Sequence, residues 1–160
     1  MWVFDRKPKG VAVGEYFNYL NHSKVWIAYP DQLLGLILEI DDSFPIYSDI
    51  MQMKIIFNNL LTNAFKFINP YKETPIIVIR VKPDPNQVTF EVEDNGMGIP
   101  EAHLSKIFQM FYRTTDKKPG SGIGLYIVMD CIRKLNGNVK VESKVGEGSR
   151  FICAIPNLNL

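Results

Sequence analysis

The stretch Asn59-Leu60-Leu61-Thr62-Asn63-Ala64-Phe65-Lys66-Phe67 decides how the rest of the chain is read. It closes a segment, Asp49 to Phe67, in which Ile50, Met53, Phe57, Leu60, Leu61, Ala64 and Phe67 recur at three- and four-residue spacing, the period of a helix with one buried face. Asn69-Pro70 stops it, because the residue before a proline is pushed out of the helical region. Asn59, Asn63 and Lys66 stand at i, i+4 and i+7. At about 100° per residue they form one narrow stripe, roughly 110° from the centre of the apolar one. Such a stripe faces either a cleft or plain solvent. An Asn carbonyl is a neutral hard oxygen suited to Mg²⁺, and a lysine beside it can meet phosphate oxygens as a point charge.

After this helix two strands are expected, Pro75 to Lys82 and Gln87 to Glu93, joined by the turn formers Pro83-Asp84-Pro85-Asn86 into a hairpin. Val88, Phe90 and Val92 alternate with Thr89, Glu91 and Glu93, which predicts one buried and one wet face. Asp94-Asn95-Gly96-Met97-Gly98 follows directly. Its glycines permit positive φ and the approach of a flat ligand, Asp94 can accept from an exocyclic amino group, and Met97 and Ile99 can cover a ring, so the arrangement suits adenine. The same residues also fit an ordinary Asx turn. Pro100 opens a short helix to about Phe108. Ile107 to Arg113 then runs into Thr114 to Ser121, a polar segment that is either a lid anchored at Phe108 and Phe111 or a surface loop, with Arg113, Lys117 and Lys118 as its cations.

Gly120-Ser121-Gly122-Ile123-Gly124-Leu125 opens a helix that reaches Asn136, with Gly137 as its stop. Free N–H groups there make an anion site, or the glycines make a hinge. The stretch is neither a Walker A loop nor a GxGxxG fingerprint, since its third glycine comes one residue early. Two more strands, Val139 to Glu142 and Arg150 to Ile155, flank Gly146-Glu147-Gly148. Upstream, Val11 to about Ala28 reads as a helix and Leu33 to Ile40 as a buried strand, with Met1 to Gly10 as a lead-in and a domain from Val11 to Leu160.

Composition sets outer limits. The 160 residues are 46% hydrophobic and 22% charged, enough for one globular core, and 18 Lys+Arg against 17 Asp+Glu leave a net charge of +1, so nucleic acid is not an expected partner. The longest apolar stretch, Leu33 to Leu38, is interrupted by Gly35 and falls far short of the roughly 20 residues a membrane span needs. Cys131 and Cys153 sit in apolar periodic segments without CxxC spacing, which favours a reducing, cytoplasmic compartment.

Taken in order, these segments resemble the ATP-binding catalytic domain of sensor histidine kinases, within the superfamily of gyrase, heat-shock chaperone, histidine kinase and mismatch-repair ATPases. Asn59 to Phe67 is similar to the family's N box, Asp94 to Gly98 to its G1 box, Ile107 to Arg113 to its F box and Gly120 to Leu125 to its G2 box. Gly146 to Phe151 matches its last glycine turn. Ile68, Ile123 and Ser149 stand where other residues are common. The resemblance implies an α/β sandwich of the Bergerat type, a mixed β-sheet packed against about three α-helices, with ATP between the N-box helix and the lid. It further implies that Asp94, with Gly96, Gly98 and Ile99, holds the adenine, and that Asn63 ligates Mg²⁺. Asn59, Lys66 and Arg113 would serve the phosphates, framed by Gly120, Ser121, Gly122, Ile123, Gly124 and Leu125.

Four residues before the metal-binding Asn, the superfamily's ATPases carry a Glu that activates water; here Asn59 stands there, and an amide cannot take up that proton. Transfer to a neutral imidazole depends instead on positioning and charge stabilisation. His22 precedes Ser23-Lys24 and His103 precedes Leu104-Ser105, so neither has the acidic follower of a phosphoacceptor. The implied partners are a histidine-bearing dimerisation domain of the same kinase and a response regulator receiver domain, and the parent protein is either soluble or anchored in a membrane. Two other classes remain open: a regulatory module that only binds nucleotide, and a serine kinase of the same superfamily.

Overall fold

The computed structural model describes residues 24–29, 32–115, 118 and 120–158. Its elements are β1 (Lys24–Tyr29), β2 (Gln32–Ile40), α1 (Ile50–Lys66), β3 (Ile76–Pro83), β4 (Gln87–Asp94), α2 (Glu101–Leu104), α3 (Gly124–Lys134), β5 (Asn138–Lys144) and β6 (Gly148–Pro156). The strands form one mixed sheet of order β1-β2-β3-β4-β6-β5. Only β2 and β3 run parallel, with Gly35 opposite Ile76, because α1 carries the chain back across the sheet between them. Every other neighbour is antiparallel, including the expected β3–β4 hairpin.

The periodicity of α1 is realised with Met53, Ile56, Leu60 and Ala64 buried, and Asp49 caps the helix by accepting from the N–H groups of Met51 and Gln52. Helix α3 buries Val128, Cys131 and Ile132. Both helices cover the sheet face built from Leu36, Leu38, Ile77, Ile79, Val88, Phe90, Val92, Phe151 and Ile155, and Phe57 meets Phe90 at 5.1 Å between ring centroids. Packing these apolar faces together supplies the main driving force of the fold. Both cysteines are free and buried, and burial raises their thiol pKa values, that of Cys153 to about 12.

Two expectations are corrected here. Lys24 to Ala28 is not helical: Lys24–Tyr29 is a strand antiparallel to β2, pairing Lys24 with Ile37 and Tyr29 with Gln32. Val25, Trp26, Ile27 and Tyr29 are β-branched or aromatic residues, which fit a pleated sheet edge better than the imperfect helical spacing suggested. The remainder of that expected helix, like the lead-in, lies outside the described residues. The second correction concerns the outer face of β4. Glu91 is buried rather than wet, because Arg150 donates to it from Nη2 at 2.7 Å and Nε at 3.0 Å, and Arg80 reaches both Glu39 and Glu93 beside it. A row of cross-strand ion pairs thus seals the sheet centre on the side that the helices leave uncovered.

Candidate functional site

A cleft of about 530 Å³ opens between α1, the end of β4 and the start of α3. The α1 stripe lines it as the spacing predicted, with Asn59, Asn63 and Lys66 all on its wall. Asp94, Gly98, Ile99, Arg113, Gly120, Ser121, Gly122, Ile123, Gly124 and Leu125 complete the expected set. Gly96 differs. It is buried behind Asp94, its N–H donates to Asp94 Oδ1 at 2.8 Å, and a Cβ there would stand 2.5 Å from the Phe67 carbonyl oxygen. Close approach of the loop to the end of α1, rather than to a ligand, is what requires glycine at that position.

At the β4 end of the cleft, burial drives the Asp94 pKa up from its ordinary 3.8 to about 6, while the N–H groups of Gly96 and Ser149 oppose the shift. Asn95 ties the loop to the start of β3, accepting from the Ile76 N–H at 2.8 Å and donating to the Thr74 carbonyl at 3.0 Å. Met97 binds Phe67 through its N–H and Gly146 through its carbonyl, so the β5–β6 turn closes over the same loop. Gly98 has φ +70°, and a Cβ there would fall 2.0 Å from the Lys144 oxygen. Ser149 and Phe151 of β6 finish this wall.

The end at the start of α3 is built differently. Helix α3 starts at Gly124, and its N-cap Ile123 makes no side-chain cap, so the first-turn N–H groups beside the cleft are of the kind that can meet an anion. Lys66 Nζ lies 4.8 Å from the Phe67 ring centroid and close against Gly120, where a Cβ would be 2.5 Å away. Its pKa is lowered by burial and by the positive charges of Arg113 and Lys118. No ion pair to Lys66 occurs among the described residues, so this cluster of cations is suited to a polyanion. Asn59 spends its Nδ2 on the Ile55 carbonyl at 2.8 Å and presents Oδ1 toward Gly124, where a Cβ would be 3.0 Å away.

Between the two ends, Ile107 is buried and Phe108 packs edge-on against Phe151 at 6.5 Å. Phe111 is not the anchor it was expected to be. At φ +63° its side chain turns outward and is 63% exposed, and its backbone lies against Gly122, itself at φ +73°. Tyr112 takes over that role, lining the cleft and hydrogen-bonding His103 Nδ1 through its hydroxyl. His103 is thus engaged in positioning a cleft residue, and His22 lies outside the described residues.

A family model described as histidine kinase-, DNA gyrase B-, and HSP90-like ATPase matches residues 48–159. The chain belongs to that family. The sensor histidine kinase GraS of Staphylococcus haemolyticus (strain JCSC1435) is 32% identical over 129 residues, 79% of this chain and 36% of GraS. The aerobic respiration control sensor protein ArcB of Escherichia coli (strain K12) is 35% identical over 151 residues, 88% of this chain and 19% of ArcB. Among solved structures, the nucleotide-free catalytic domain of histidine kinase ThkA superposes with a TM-score of 0.66 at 28% identity, covering 78% of this chain and 80% of that one. Full-length ShkA in complex with AMPPNP gives a TM-score of 0.66 at 27% identity, covering 77% of this chain and 25% of ShkA. The chain therefore spans well under half the length of these curated relatives.

In this ATPase domain, sequence reasoning overlooked the wall residues that come from distant strands, Ser149 and Phe151, and the Ser143 hydroxyl beneath them. One signal was available. Val139, Val141 and Ser143 share the inward phase of β5, so a polar residue stands where an apolar one is expected. No helix among the described residues is long and apolar enough to cross a membrane.

Proposed function

We propose that this chain transfers the γ-phosphoryl of Mg·ATP to a histidine on a separate dimerisation domain, from which a response regulator receiver domain is then phosphorylated. The observation that carries the reading is the polarity of the cleft: a half-buried carboxylate, Asp94, at one end and Lys66 with the uncapped α3 start at the other. An adenine amino group answers the first and a triphosphate the second. Asn59 in the position of a water-activating carboxylate supports transfer over hydrolysis.

The donor set fits Mg²⁺ held chiefly by nucleotide and water. No group of three or more His, Cys, Asp or Glu residues suited to a metal occurs among the described residues, while Asn63 lines the cleft with one neutral amide oxygen. Asn63 would hold the ion, and Asn59 Oδ1 would accept from its water shell. When bound, Mg²⁺ neutralises charge on the β- and γ-phosphate oxygens. Lys66 and Arg113 draw the phosphate tail toward the α3 N-terminus, and Gly120 to Gly124 let the backbone approach it, while Asp116, Lys117 and Pro119 of the expected lid lie outside the described residues. The domain is cytoplasmic in this reading, whether or not the parent protein is anchored in a membrane.

Mixing the chain with histidine-bearing dimerisation helices and radiolabelled ATP tests the proposal. An acid-labile, base-stable label on the helices is expected, with little label or phosphate release from the chain alone. An acid-stable label on a partner would indicate a serine kinase, binding without transfer a regulatory module, and brisk phosphate release an ATPase.

A further inference from the structure

Ser143 belongs to none of the motifs quoted above, yet its hydroxyl is fully committed. It accepts from the Ile99 N–H at 2.8 Å, donates to the Gly148 carbonyl at 2.7 Å and meets Ser149 Oγ at 2.9 Å. A serine hydroxyl has one proton and a carbonyl oxygen can only accept, so the Ser143 proton goes to Gly148. In the contact between the two serines the donor is then Ser149. With its proton drawn back into β5, Ser149 Oγ keeps only lone pairs for anything else it meets. Ser149 stands opposite Asp94 in the β4–β6 register, and both line the base end of the cleft. At 8% exposure, Ser149 leaves little room for water to mediate a different pattern.

We propose that Ser143 is a specificity-determining residue: by holding the Ser149 proton away from the cleft, it makes the base end an all-acceptor wall. This rests on the reading of the cleft as an ATP site and deepens it. The exocyclic amino group of adenine carries two protons and satisfies two acceptors. Guanine presents a carbonyl oxygen at the same place and would face lone pairs with no proton between. Without the Ser143 hydroxyl, the Ser149 O–H is released to rotate and donate, and the wall is left with Asp94 as its only fixed acceptor of the pair. The Ile99 N–H and the Gly148 carbonyl also lose a partner, which weakens binding of any nucleotide. The ratio of affinities therefore reports the proposed role, and the absolute affinity does not.

Calorimetric titration of the full chain with ATP and with GTP, each with Mg²⁺, tests this on five proteins: wild type, Ser143→Ala, Ser143→Thr, Ser149→Ala and the double alanine variant. Ser143→Ala is expected to narrow the ATP preference about tenfold, the size of one hydrogen bond gained by the wrong base. Ser143→Thr keeps the hydroxyl and should keep the wild-type ratio. Because Ser143 acts through Ser149, the double variant should show the same ratio as Ser149→Ala alone. Equal loss of ATP and GTP in Ser143→Ala would make the hydroxyl a structural strut and overturn the proposal. So would an undiminished ATP preference in Ser149→Ala, which remains decisive even if Ser143→Ala does not fold. Wild-type protein that binds neither nucleotide would instead bring down the ATP reading itself, and this proposal with it.

Discussion

The two ends of the cleft are opposite solutions to holding one ligand. At the base end, Asp94, Gly96, Ile99, Ser143 and Ser149 are joined by hydrogen bonds within the protein, so the acceptors are oriented before anything binds. At the phosphate end, Lys66 is close enough to Arg113 and Lys118 for their charge to lower its pKa, and a helix start without a side-chain cap lies beside them, so an arriving anion would relieve the repulsion that Lys66 feels. In the reading proposed above, the first end sets selectivity and the second affinity. Substitutions at the two ends should therefore fail in different ways.

The largest effect is expected at Asp94. Asp94→Asn puts an amide donor toward the adenine amino group and should weaken ATP binding by about 1–3 kcal/mol or more, measured by calorimetry. The same change should stabilise the fold at pH 7. A carboxyl whose pKa is raised on folding binds more protons in the native than in the unfolded state between 3.8 and about 6. Its contribution is therefore complete below the unfolded pKa and is lost as pH rises through the native one. Melts at pH 7 should show Asp94→Asn more stable by up to about 2 kcal/mol, and melts near pH 4 should not. Loss of both affinity and stability at pH 7 would mean that Asp94 is a structural residue.

The same titration gives the next effect in size. Protonated Asp94 has one acceptor fewer, so ATP affinity should fall about tenfold from pH 7 to pH 5 and be flat above pH 7. In Asp94→Asn this dependence should vanish, and a variant that keeps it would assign the titration elsewhere. At the other end, Asn63→Ala should remove most of the gain in ATP affinity that Mg²⁺ brings, roughly tenfold, while leaving metal-free binding intact. Titrations with and without Mg²⁺ separate the two terms. Smallest is Lys66→Ala, expected to weaken ATP several-fold and to reduce the salt dependence of binding, with adenosine unaffected. An equal loss for adenosine would show that Lys66 shapes the cleft through its contact with Phe67 instead of attracting phosphate.

The legible parts of this site are those whose geometry is local. Asn59, Asn63 and Lys66 share a face because a helix has a fixed period, and Asp94 meets the cleft because a strand ends one residue before a glycine loop. Gly96 shows the limit of that reasoning: glycine signals a close approach, and only the fold reveals that its neighbour is the end of α1. Phe111 shows another, since an aromatic in an apolar run reads as core until a positive φ turns it outward. Glu91 has the alternation of a wet position and is buried by arginines from strands β3 and β6, a contact that no window of sequence contains.

By itself, the sequence determined which segments could be helix or strand, which side chains shared a face, and which chemistry each motif could offer, because these follow from backbone period and from functional groups. The tertiary structure alone decided that β1 joins the sheet edge, that Ser143 lies under Ile99 at 44 residues' separation, and that the Ser143 and Ser149 hydroxyls meet. Those outcomes depend on pairing between distant strands, where the choice of partner is set by the packing of the whole core and not by the residues on either side.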